Sequence, residues 1–123
     1  MSDSNEMNGG QVIIDYLIKE KVPYVFGLCG HGNIGLIDAM HERQEDIATI
    51  SVHHESVAGF MADVYYRVSG QQQAAFTTCG PGSANLKIRI GNALFDSVTY
   101  LAMTGSVQTR TLNRGAVTEP TRH

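Results

Sequence analysis

Along this chain the apolar positions fall into two rhythms, one helical and one extended. Val12, Ile13, Tyr16 and Leu17 recur at helical spacing, so residues 9–20 read as an amphipathic helix that Pro23 brings to an end. Tyr24 to Leu28 is a short apolar run and predicts a buried strand. After a glycine loop, Ile34, Leu36, Ile37 and Met40 mark a second helix reaching about Arg43. Ile47 to Val52 (I-A-T-I-S-V) is rich in β-branched residues and predicts a second strand. The clearest stripe follows, with Val57, Phe60, Met61, Val64, Tyr65 and Val68 at three- and four-residue intervals. Gly70 stands where a left-handed cap would close that helix. Ala74 to Thr78 predicts a third strand, about 83–95 a fourth helix, and Tyr100 to Thr104 a fourth strand. The polar tail beyond Gly105 predicts no element.

Strands that alternate with helices at this spacing form βαβ units. The expected fold is α/β, a three-layer sandwich with a mostly parallel sheet flanked by helices. Ligands of such sheets sit at the carboxyl ends of the strands. Three loops fall there, Cys29 to Asn33, His53 to Glu55 and Cys79 to Asn85, and they hold most of the unusual chemistry in the chain.

Composition refines this picture only a little. The 123 residues make one domain, with residues 1–8 expected as a flexible tail and 9–123 as the folded unit. A hydrophobic share of 42% with 17% charged residues fits an ordinary globular protein. The net charge of −3 is scattered, so neither nucleic acid nor a membrane surface is an expected partner. No apolar run is long enough to span a bilayer, and the polar, acidic opening does not read as a secretory signal. Cys29 and Cys79 match no disulfide framework or zinc spacing and read as free thiols in a reducing cytoplasm.

The candidate chemistry admits several readings. Gly30-His31-Gly32-Asn33-Ile34-Gly35 has the G-x-G-x-x-G spacing of a dinucleotide-binding turn, and Glu55 lies twenty residues beyond Gly35. Against that reading, Glu55 opens a helix rather than ending a strand, and a helix precedes the first strand. Glu55 also suits the first turn of its helix, where a carboxylate meets the positive end of the macrodipole. The neighbouring apolar stripe would place it instead at the edge of a dry pocket. His53 and His54 point to opposite faces in extended chain and make a poor ligand pair, so no metal site is expected. A Cys–His nucleophile built from Cys29 or Cys79 is conceivable but carries little weight. Thr77 to Asn85 (T-T-C-G-P-G-S-A-N) is the most specific of these segments. Its Gly-Pro-Gly turn fixes a rigid backbone that a flat ligand can approach closely, although a plain β-to-α turn would look the same.

Four motifs together resemble one family. V-P-Y-V-F-G-L-C-G-H-G-N-I-G, then H-H-E-S-V-A-G-F-M-A-D-V-Y-Y-R-V-S-G, then F-T-T-C-G-P-G-S-A-N, then G-N-A-L-F-D-S-V-T-Y-L-A-M-T-G look like the pyrimidine-binding domain of thiamine-diphosphate enzymes. The branch is acetolactate synthase-like and includes cyclohexane-1,2-dione hydrolase. The resemblance implies a domain that holds the aminopyrimidine of thiamine diphosphate at a dimer interface. It implies that Glu55 is the activating carboxyl, which biases the pyrimidine tautomer so that the thiazolium C2 proton can leave. Thr78, Gly80, Pro81 and Asn85 would lie beside the pyrimidine. Gly30, His31 and Gly32 would line the substrate side, joined by Thr118 from a segment reaching toward the active site. The implied substrate is a 2-oxo acid or a 1,2-diketone, and the reaction makes or breaks a carbon–carbon bond.

The sequence also departs from that pattern. Val117-Thr118-Glu119 stands where F-Q-E is frequent, Thr99 stands where proline is usual, and Lys87 and Arg89 intrude on a small or apolar stretch. Two cations there would be costly if buried, so that helix face is expected to be wet. The G-D-G motif and downstream Asn that hold Mg²⁺ and the diphosphate in this family have no counterpart here. The chain is therefore expected to be inactive alone, as a fragment or as one piece of a split enzyme. A homo-oligomer or a partner diphosphate-binding domain would complete it, and FAD would belong to the complete enzyme. A non-catalytic interaction or regulatory module derived from such a domain, and an NAD-binding protein, stand as the alternatives.

Overall fold

The computed structural model describes residues 6–114. Four parallel strands, β1 (Tyr24–Gly27), β2 (Ala48–Ser51), β3 (Ala74–Thr77) and β4 (Leu101–Thr104), form one sheet in the order β2-β1-β3-β4. Four helices connect or precede them: α1 (Gly9–Lys19), α2 (Ile34–Glu42), α3 (Glu55–Ser69) and α4 (Pro81–Phe95). The fold is the expected α/β three-layer sandwich. Each predicted strand and helix is present, its ends moved by a residue or two. Two short 3₁₀ turns, His31–Asn33 and Thr109–Thr111, were not legible in the pattern.

The helix boundaries follow from local chemistry. Asn8 and Gln11 form a reciprocal capping box at the start of α1. Pro81 occupies the first turn of α4, where its missing N–H costs nothing. Gly70 closes α3 at φ 70°, a left-handed cap that suits glycine.

Alternation along the buried strands divides the core into two layers. Val25, Ala74 and Phe76 face α1 and α2, packing with Ile14, Leu17, Met40 and Ile47. Phe26 and Ala75 face the other way, toward Ala58 and Ala62 of α3 and Leu86 of α4. All four residues of β3 are buried, as expected for a central parallel strand. Gln73, fully buried just before β3, accepts from the Tyr24 N–H and donates to the Gln71 carbonyl, which ties β1 to β3 where they begin.

The stripe on α3 is where structure and pattern part. Met61 and Tyr65 pack against the core, but Val57, Phe60, Val64 and Val68 are exposed, Val68 to 83%. The buried face of α3 is instead Glu55, Ala58, Gly59, Ala62 and Asp63. Small residues let this helix lie close to its neighbours, and Gly59 shows how close: a Cβ there would fall 2.6 Å from Cβ of Arg89 on α4. The large apolar residues flank a groove of about 730 Å³ shared with Tyr24, Phe26 and Ile50 of the sheet. Among the described residues no helix is long and apolar enough to cross a membrane.

Candidate functional site

Topology locates the site before any side chain is considered. The chain leaves β1 toward β2 on one side and reaches β3 on the other, so the strand order reverses between β1 and β3. The α2 crossover lies on one face and α3 and α4 on the opposite face. Loops diverge at such a point and open a crevice at the carboxyl ends of the strands. The loops after β1 and β3 meet there through Thr78, and the first residue of α3 packs against the start of α4.

The loop after β1 is held from within. Asn33 is buried, accepts the Gly30 N–H at 2.9 Å and donates to the Leu28 carbonyl at 3.1 Å. From there the Gly32 N–H donates to Thr78 Oγ1 at 3.0 Å, bolting this loop to the loop after β3. Gly30 and Gly32 are glycines because of that neighbour. A Cβ on Gly30 would lie 2.5 Å from Thr78 Cβ, and one on Gly32 would lie 2.9 Å from Cys79 Sγ. Asn33 was not singled out from the sequence, although an Asn three residues after a loop glycine is a known turn signal.

This arrangement bears on the dinucleotide fingerprint. A pyrophosphate cradle needs backbone N–H groups turned outward and free. Here the amides of Gly30, Gly32 and Asn33 are already engaged, with Asn33 Oδ1, Thr78 Oγ1 and the Gly30 carbonyl respectively. Glu55 faces the other loop, where a ribose partner of the fingerprint would not be. The glycine spacing serves loop packing. His31 is exposed beside it.

Glu55 is 8% exposed and opens α3. The preceding residue, His54, is the helix cap, its Nδ1 accepting the Ser56 N–H at 3.2 Å with Ser56 Oγ at 2.7 Å. With His54 occupied in that way, the Glu55 side chain turns to the loop after β3. Asn85 Nδ2 donates to its Oε2 at 3.0 Å. Its Oε1 lies over Gly82, where a Cβ would come within 2.9 Å. Gly80, at φ 63° and ψ −123°, takes a conformation open to glycine and turns the chain into α4. Thr78, Gly82, Glu55 and Asn85 therefore form one contiguous patch. Pro81 is exposed at the start of α4. Thr118 lies outside the described residues.

Behind the patch, α3 and α4 are joined by a polar network the sequence did not reveal. Asp63, 4% exposed, binds Arg67 Nε, and Arg67 Nη2 reaches Asp96 at 2.6 Å. The hydrogen bond from Arg67 holds the Asp63 carboxyl below the usual range against the opposing effect of burial, with Asn92 and the charge of Arg89 assisting. Burial and the charge of Asp63 push the Tyr100 phenol up. Of the two cations noted on α4, Lys87 is exposed, whereas the Arg89 guanidinium carbon sits 3.2 Å from the centroid of Phe60. The face is thus wet at Lys87 and aromatic at Arg89. Cation–π contact and the nearby Asp63 offset part of the cost of covering that charge.

Loops gathered at a switch point, with a buried carboxyl packed on Gly82 and bonded to Asn85, match the ligand-binding edge of an α/β domain. Residues 7–123 match the family described as thiamine pyrophosphate enzyme, N-terminal TPP binding domain, and the chain belongs to that family. It is 35% identical over 113 residues to a probable acetolactate synthase large subunit of Methanococcus aeolicus, covering 92% of this chain and 18% of the relative. It is 36% identical over 106 residues to the acetolactate synthase large subunit of Pyropia yezoensis, covering 85% and 18%. Against the mitochondrial acetolactate synthase catalytic subunit of Saccharomyces cerevisiae the figures are 30% over 113 residues, 92% and 16%. The chain lies in the acetolactate synthase-like branch and spans less than a fifth of the length of each of these relatives.

Proposed function

We propose that the chain is the pyrimidine-binding portion of a thiamine-diphosphate enzyme that makes or breaks a carbon–carbon bond in 2-oxo acids or 1,2-diketones. One observation carries the reading: Glu55, buried at the start of α3, presents Oε1 over the Cα of Gly82. The cradle suits a flat heteroaromatic ring. Glycine lets a ring approach the backbone closely, and the carboxyl group can either donate or accept a proton at the ring edge. When bound, thiamine diphosphate supplies the carbon nucleophile that attacks the substrate carbonyl.

Glu55 exchanges a proton at Oε1, Gly80 and Pro81 fix the turn, and Thr78 and Asn85 border the ring. Gly30, His31 and Gly32 face the substrate side. The diphosphate and Mg²⁺ would be held by protein outside these residues, in a homo-oligomer or a partner chain, and FAD, where used, would lie there too. Turnover by the 123-residue chain alone is not expected.

The test is cofactor dependence in the complete protein. With a 2-oxo acid such as pyruvate or with a 1,2-diketone, product formation should require both thiamine diphosphate and Mg²⁺. Turnover that persists after both are removed and chelated would refute the assignment. So would saturable NAD(H) binding abolished by a Gly32 substitution.

A further inference from the structure

We propose that Asn85 is the positioning residue of this site: its amide determines which oxygen of Glu55 lies over Gly82 and which carries the proton. The inference rests on the reading of Glu55 as the proton partner. The two oxygens of a carboxyl group are chemically equivalent until the surroundings distinguish them. Here they are distinguished. Oε2 receives Asn85 Nδ2 at 3.0 Å. Oε1 has no hydrogen-bond partner among the described residues and lies over Gly82, beside Thr78.

An ionised carboxylate only accepts hydrogen bonds, so the Asn85 amide must present its nitrogen rather than its oxygen. The same contact selects the oxygen once a proton arrives. An oxygen facing an N–H donor serves as the carbonyl oxygen, and the hydroxyl then falls on the other atom, Oε1. That is the oxygen over the glycine floor. The donor is also neutral. A lysine or arginine would place a full charge beside the carboxyl, whereas a primary amide acts on it only through the hydrogen bond. Asn85 thus orients Glu55 without fixing its charge.

Its placement is built into the fold. Asn85 lies early on α4, whose start is set by the left-handed φ of Gly80 and by Pro81 at the first position. Glu55 belongs to a different crossover, thirty residues away in sequence. The bond therefore links the beginnings of two helices and carries their relative position to a single oxygen atom.

Two measurements test the inference. In the chain itself, without cofactor, NMR of the Asn85 side-chain amide should show one proton shifted downfield, exchanging with water about tenfold more slowly than in an exposed asparagine. Glu55→Ala should abolish both effects. An unchanged amide spectrum in that variant would overturn the proposal whatever the cofactor does. In the complete protein, Asn85→Leu should leave the protein folded and slow C2 hydrogen–deuterium exchange of bound thiamine diphosphate by about tenfold or more. Asn85→Gln, which keeps the donor, should recover part of that rate. The Glu55→Gln/Asn85→Leu double variant should be no slower than Glu55→Gln alone. Normal exchange in Asn85→Leu beside slow exchange in Glu55→Gln would overturn the role of Asn85 only. Normal exchange in both would overturn the reading of Glu55 itself. Slow exchange with a lowered midpoint and no recovery in Asn85→Gln would make Asn85 merely structural.

Discussion

Gly82 lies where two side chains converge: a methyl group on its Cα would fall 2.8 Å from Thr78 Cγ2 and 2.9 Å from Glu55 Oε1. Of the two, the carboxyl end of the longer side chain yields more readily. Gly82→Ala should therefore displace Glu55 at a stability cost of about 1 kcal/mol. Calorimetry and a Glu55-sensitive NMR spectrum would check both halves. Gly30→Ala is different, because its methyl would meet the stiff Cβ of Thr78 at 2.5 Å. The loop must then move as a whole, and a loss of about 2–3 kcal/mol is expected in chemical denaturation. The spacing of these glycines was plain in the sequence, but their neighbours were not. Spacing cannot show that Thr78 lies under Gly30, or that the Gly32 N–H is already taken by that threonine. Glu55 and Asn85 were legible as candidate site residues through their motifs. Their bond to one another was not, because thirty residues of chain separate them.

On α3, two helical faces compete for the role of buried face, and only one can win. The pattern marked Val57, Phe60, Met61, Val64, Tyr65 and Val68 because they are large and apolar, and of these only Met61 and Tyr65 pack against the core. The winning face is made of Ala58, Gly59 and Ala62, whose value lies in how little room they take. Ala62→Leu should therefore destabilise the chain by about 1–3 kcal/mol. Val64→Ser, at a position 54% exposed, should change stability by no more than about 0.5 kcal/mol. A reversed order in denaturant melts would contradict the observed orientation. The same helix contributes Asp63 to the α3–α4 network, and Asp63→Ala should cost about 2 kcal/mol by leaving Arg67 and Asn92 short of an acceptor. The folded-state pKa of Asp63 is depressed, so its contribution is complete above the unfolded value of about 4 and is lost as pH falls through the lower folded value. Acid titration of Asp63→Asn should thus show a shallower loss of stability below about pH 4 than the parent. Because Arg67 is 45% exposed, solvent and salt weaken this effect.

For the molecule as a whole, the strand order does most to create the site. Alternating strands and helices made the parallel sandwich readable, since each crossover leaves its own period in the sequence. The order β2-β1-β3-β4 left no such trace, because strand pairing depends on packing between segments far apart. That order brings the loops after β1 and β3 together with the start of α3 at one edge of the sheet. The large apolar groove lies elsewhere, between α3 and the β1–β2 half of the sheet, and none of the proposed site residues lines it. Size alone would have pointed there. What distinguishes the candidate site is a carboxyl group with one oxygen held by Asn85 and the other over Gly82. The central claim, that Glu55 is the proton partner of the cofactor, is tested most directly by C2 hydrogen–deuterium exchange of thiamine diphosphate bound to the complete protein. Glu55→Gln should slow that exchange by about a hundredfold or more while the cofactor stays bound. Exchange at the parent rate would contradict the account.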